Sequence, residues 1–138
     1  MKRAMPEQFH VAAVRHLKVG ETLHKNGHLD DAGYHFGVSG ECALKYGILE
    51  AGLHVPKKHF PSLAAAAKDI VSKVSACGTG RTSAAIFEVV NDPTFSQRFR
   101  GWSIDIRYAV SSCTPVQQAD CDRWCKDASE LVARLVIG

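Results

Sequence analysis

Between His28 and Ala51 the chain places Leu29, Ala32, Gly33, Phe36, Gly37, Gly40, Ala43, Leu44, Gly47, Ile48 and Ala51 at three- and four-residue spacings. That period is one face of a helix. Tyr34, Val38 and Leu49 add a second stripe, leaving little of the surface for water. Each glycine inside a helix costs roughly 1 kcal/mol relative to alanine, so Gly33, Gly37, Gly40 and Gly47 predict close approach of neighbouring elements. The segment reads as the central helix of a bundle.

Flanking patterns complete the helical reading. A first helix is predicted from Pro6 to Lys25, burying Phe9, Ala13, Leu17 and Leu23, and Asn26-Gly27 ends it. So short a connection makes the two helices antiparallel neighbours. Leu53 to Phe60 reads as a loop holding Pro56 and the basic cluster Lys57-Lys58-His59. Pro61 and Ser62 then open a third helix with Leu63, Ala66, Ala67, Ile70, Val74 and Cys77 on one face. Gly78-Thr79-Gly80 breaks it, and Thr82 or Ser83 caps a short helix through Ile86, Phe87 and Val90.

Two later starts carry capping-box spacing, Thr94 to Gln97 and Thr114 to Gln117, the second with Pro115 in its first turn. The first opens a segment with Phe95, Phe99, Trp102 and Ile106. The second opens a terminal helix with Trp124, Ala128, Leu131, Leu135 and Val136. No sustained apolar-polar alternation signals a strand. The expected fold is all-α, an up-and-down four-helix bundle with additional short helices, in a single domain over residues 1–138.

Within the central helix stand Glu41 and Lys45. As a solvated pair one turn apart they contribute roughly 0.2 to 0.5 kcal/mol. As a buried pair each needs a hydrogen-bonding partner from another element, because an uncompensated interior charge costs several kcal/mol. Both readings stand on the sequence.

Composition changes this picture little. With 46% hydrophobic and 22% charged residues the chain is an ordinary folded domain, and a net charge of +3 permits nucleic-acid binding without arguing for it. The first residues lack a secretory apolar core, and no run approaches a bilayer span. Five cysteines, an odd number with no export signal, point to reduced thiols in a cytoplasmic protein. No contact with a membrane is expected.

All seven histidines fall in the first 59 residues, and Glu7-x-x-His10 and Glu21-x-x-His24 each match the carboxylate-histidine unit of dimetal bundles. Both units lie on the first helix, roughly 21 Å apart at 1.5 Å per residue, so they cannot share a metal. Cys121 and Cys125 place two thiols on neighbouring turns, so a zinc site would need two more ligands from elsewhere, and they read as small buried hydrophobes. No metal and no cofactor are expected. Gly78-x-Gly80-Arg81 is too short for a phosphate loop. Two basic elements remain: Lys57-Lys58-His59, as a phosphate contact or a solvated loop, and Arg98, Arg100 and Arg107 with Trp102 and Tyr108, as a nucleic-acid surface or as packing.

The run Ala32-Gly33-Tyr34-His35-Phe36-Gly37-Val38-Ser39-Gly40-Glu41-Cys42-Ala43-Leu44-Lys45 resembles the second helix of HEPN domains. Lys58 to Leu63 is similar to the basic turn that follows in many members, and Trp102 to Arg107-Tyr108 to a late Trp-x(4)-Arg-Tyr element. The resemblance implies a homodimeric bundle. Many members are metal-independent ribonucleases of toxin-antitoxin and defence systems, while others bind nucleotides or act as non-catalytic partners. In the nucleases an Arg-x(4 to 6)-His motif near the last helix works with an acid from the second helix; Arg107 and Glu41 match these two positions.

The histidine has no match. Ser112, Cys113 and Thr114 occupy the spacing, and no histidine follows His59. Loss of a general acid or base typically costs about 100- to 10,000-fold in rate. The resemblance therefore implies a non-catalytic module binding RNA, a nucleotide or a partner, such as a cognate nucleotidyltransferase-like protein or an antitoxin. Binding would involve Glu41, Lys45, Lys57, Lys58, Trp102, Arg107 and Tyr108. The alternatives are a metal-independent ribonuclease with Arg107 and His59 as catalytic residues, and a purely structural interaction bundle.

Overall fold

The computed structural model describes residues 8–73, 81–108 and 116–137, the side chains of 81–84, 107 and 108 excepted. Over these residues the structure is helical, with no strand. Helix α1 is Phe9–Lys25 and α2 is Leu29–Glu50. They are joined by a tight turn in which Gly27 takes a left-handed φ of 81°. Helix α3 is Ser62–Ser72, α4 is Arg81–Asn91 and α5 is Gln118–Val132, which continues as one wider π turn, Ala133–Ile137. Two 3-10 turns, Phe95–Gln97 and Ile104–Tyr108, lie between α4 and α5.

Helix α2 is the hub and touches α1, α3, α4, α5 and the second 3-10 turn. Its predicted apolar face is the buried one: Ala32, Phe36, Ala43, Leu44 and Ile48 are wholly enclosed. The second stripe is less covered than expected, and Leu49 stays 49% exposed. Its glycines meet the large side chains of other elements. The Trp124 ring packs on Gly33, Trp102 on Gly37, Phe99 on Gly40, and Ile86 with Leu135 on Gly47. On the opposite flank Ser39 Oγ donates to Ala13 O at 2.7 Å, and Phe36 fits against Gly20 of α1.

Polar ties hold α5 in place. His24 Nε2 lies 2.7 Å from Asp122 Oδ1, and Val116 N–H donates to Asp30 Oδ1 at 2.8 Å. A second tie is buried. Asp127 accepts from Phe99 N–H at 2.9 Å and from Arg98 at 3.2 Å, while Arg98 also donates to Glu130 at 2.6 Å.

The first capping box does not form as predicted, and the last helix starts later than predicted. Thr94 precedes only a 3-10 turn and turns its hydroxyl to Asp92 Oδ1 at 2.8 Å, an Asx-type turn that competes with helix. Helix α5 starts at Gln118 with Gln117 as its N-cap. Helix α4 begins at Arg81, ahead of the expected caps. The predicted features at Pro6, Glu7, Val74, Cys77, 78–80, Cys113, Thr114 and Pro115 lie outside the described residues.

Candidate functional site

Gly40 leaves a gap in the α2 surface that the Phe99 ring fills, and Phe60 stacks on Phe99 with ring centres 4.8 Å apart. Phe99 adopts a φ of 57°, a region costly for a bulky residue, and its N–H bond to Asp127 holds it there. Phe60 is held in the same manner from the other side. Glu41 Oε2 accepts the Phe60 N–H at 2.7 Å, and Oε1 lies 2.9 Å from His59 Nδ1. Two buried carboxylates, Glu41 on α2 and Asp127 on α5, thus each fix the backbone of one of the two stacked rings.

Glu41 is 3% exposed, which decides between its two readings: it is an interior charge with compensating partners. Burial pushes its carboxyl above the ordinary value. The His59 and Phe60 hydrogen bonds and nearby Lys45 pull in the opposite direction. An ionised carboxylate only accepts, so the hydrogen bond selects the tautomer of the neutral ring that has its proton on Nδ1 and its lone pair on Nε2. The His59 side chain is 52% exposed, so the ring can meet a ligand.

Next to this pair is an open groove of about 740 Å³. Phe9, Leu49, Leu53, Val55 and Pro56 supply its apolar lining, and Lys45, His54, Lys57 and His59 its polar lining. Among the described residues no carboxylate lines it. Lys45 makes no close ion pair with Glu41, although its charge acts on that carboxyl, and it lines the groove. Two ammonium groups and two imidazoles on one apolar-floored groove make a site whose charge favours an anion with a non-polar body.

The expected binding residues divide sharply. Glu41, Lys45, Lys57 and His59 come together at the groove. Lys58 is exposed but does not line it. Trp102 is a core residue, 2% exposed, with Nε1–H donating to Gly33 O at 2.8 Å, and presents no face to a ligand. Arg107 and Tyr108 belong by their backbone to the second 3-10 turn, and their side chains lie outside the described residues. Both Glu41 oxygens are engaged by the loop. Arg98 is locked by Asp127 and Glu130 and serves packing, whereas Arg100 is exposed and donates to Gln97 at 3.0 Å.

The sequence reading missed His54 and the apolar lining from Phe9, Leu49 and Val55. Only the fold brings the start of α1 to the end of α2. Among the described residues no three metal-ligating side chains converge. His24 of the second carboxylate-histidine unit is taken by Asp122 and by Gln118, 3.1 Å away. Cys121 is buried, and burial pushes its thiol up to about 12, so it is unreactive. No helix of the described residues is long and apolar enough to cross a membrane. No family model, no curated protein and no solved structure matches the chain.

Proposed function

We propose that the chain is a HEPN-like domain, an up-and-down bundle, whose groove beside Glu41 and His59 binds RNA or a nucleotide through phosphate. One observation carries the reading: Lys45, Lys57, His54 and His59 converge on an apolar-floored groove that, among the described residues, no carboxylate lines. Lysines and imidazole hold the phosphate, while Leu49, Val55 and Phe9 offer the surface against which a base lies. Glu41 is a positioning residue. It fixes the loop that carries Lys57 and His59 onto the helix that carries Lys45. The homodimer, the toxin-antitoxin or defence setting, and a nucleotidyltransferase-like or antitoxin partner belong to the same proposal.

Fluorescence anisotropy of a short labelled single-stranded RNA, read across a salt series with EDTA present, tests it. Removing two phosphate contacts in Lys45→Ala/Lys57→Ala should weaken binding and reduce the salt slope by about 1.4. Wild-type affinity and slope in that variant would place the ligand elsewhere.

A second reading is favoured by the Glu41–His59 hydrogen bond, which orients an imidazole as in general acid-base catalysis. In it the domain is a metal-independent ribonuclease, with His59 moving the proton and Arg107 stabilising phosphate charge. Cleavage of RNA would then survive EDTA and disappear in His59→Ala. An absence of cleavage, or cleavage unchanged by that substitution, sinks it.

A further inference from the structure

The Glu41–His59 pair has the parts of a nucleophile as well as those of a binding group. We propose that His59 Nε2 is a phosphoryl-acceptor site, charged by donors of the phosphoramidate class and held as a phosphohistidine in the groove. This rests on the groove being a phosphate site.

Three features carry it. The Glu41 carboxylate, 2.9 Å from Nδ1, fixes the tautomer with Nε2 unprotonated, the form that attacks phosphorus. Half of the His59 side chain is exposed, and the ring lines the groove in the folded chain. Lys45 and Lys57 line the same groove, and among the described residues no carboxylate does, so the cations of its wall are placed to meet the incoming phosphoryl oxygens.

The step balances without a metal or a reductant. The Nε2 lone pair forms a bond to phosphorus as the P–N bond of the donor breaks. With phosphoramidate itself, ammonia leaves with that electron pair from a nitrogen already protonated. Nδ1 keeps its proton, and the positive charge of the phosphorylated ring rests against the Glu41 carboxylate. That charge-assisted hydrogen bond favours the product over an unpaired phosphoimidazole.

The other histidines of the molecule are internal controls. His28 is exposed, stands in the turn between α1 and α2, and does not line the groove. Full-length protein incubated with potassium phosphoramidate in EDTA at mildly alkaline pH would be digested and read by mass spectrometry under conditions that spare phosphohistidine. His59 should gain phosphate at least about tenfold faster than His28, the effect of one hydrogen bond to a charged group. Glu41→Gln should slow His59 alone. Lys57→Ala, a substitution on an exposed loop, should slow it as well and serves if Glu41→Gln disturbs the fold.

Phosphorylation of His59 no faster than that of His28 overturns the inference. If RNA still binds the groove in a Lys45- and Lys57-dependent way, this inference alone has failed. If binding is also indifferent to those lysines, the phosphate reading of the groove fails with it.

Discussion

Replacing Gly37 by alanine opposes two effects of known sign. Alanine is about 1 kcal/mol better than glycine inside a helix. At this position, however, the new Cβ would overlap the Trp102 indole at Cε2, Nε1 and Cζ2. The ring cannot swing clear cheaply, because it is 2% exposed and donates to Gly33 O at 2.8 Å. Overpacking costs about 1–3 kcal/mol, and the lost hydrogen bond about 1 kcal/mol. The net expectation for Gly37→Ala is a destabilisation of about 1–3 kcal/mol. Urea unfolding followed by far-ultraviolet circular dichroism measures it. The same substitution in a Trp102→Ala background should reverse sign, since the clash is gone and only the helical gain of about 1 kcal/mol remains. A stabilising Gly37→Ala in the wild-type background, or equal effects in both, would refute close packing of Trp102 on α2.

Three further expectations concern charge. Burial, with His35 and Arg15 nearby, lowers the His16 imidazole from 6.5 to about 4. The folded chain then binds fewer protons than the unfolded one between those values, so stability should fall as pH drops through the window; an imidazole titration midpoint for His16 at or above 6.5 contradicts this. The Glu41 carboxyl is raised above 4.5 by burial, so the folded chain holds more protons just above that value and the Glu41 contribution to stability declines as pH rises there. Glu41→Gln should abolish that part of the pH dependence in urea midpoints, and an unchanged profile would count against a buried carboxyl. Asp127→Ala strands Phe99 N–H and leaves Arg98 with Glu130 alone, for an expected loss of about 3 kcal/mol in the same assay; a change under about 0.5 kcal/mol, as at an ordinary surface site, would show that the tie is not structural.

The central helix was legible because its pattern is local. Spacing alone gave Leu29–Glu50 nearly to the residue, and the glycine positions predicted the aromatic contacts in kind though not in identity. Glu41 was legible as an anomaly. Its partner was not, because the loop from Gly52 to Phe60 decides which side chain returns to α2, and no periodicity governs a loop. Phe60 offered a signal: an aromatic residue beside Lys57-Lys58-His59 has to be buried, and burying it carries His59 inward. The stretch from Thr94 to Trp102 misled for a related reason. Its aromatics have helical spacing, yet the Asx turn at Asp92 and the left-handed Phe99 divert the backbone, and Trp102 reaches α2 as core.

The groove can be tested by mapping the amide proton–nitrogen correlation spectrum during titration with a short single-stranded RNA. Binding as proposed shifts Lys45, Leu49, and Leu53 through Phe60, Pro56 excepted, in a saturable manner, and the same titration of Lys45→Ala/Lys57→Ala leaves them in place. Saturable shifts centred on another face of the bundle, or none at all, would contradict it.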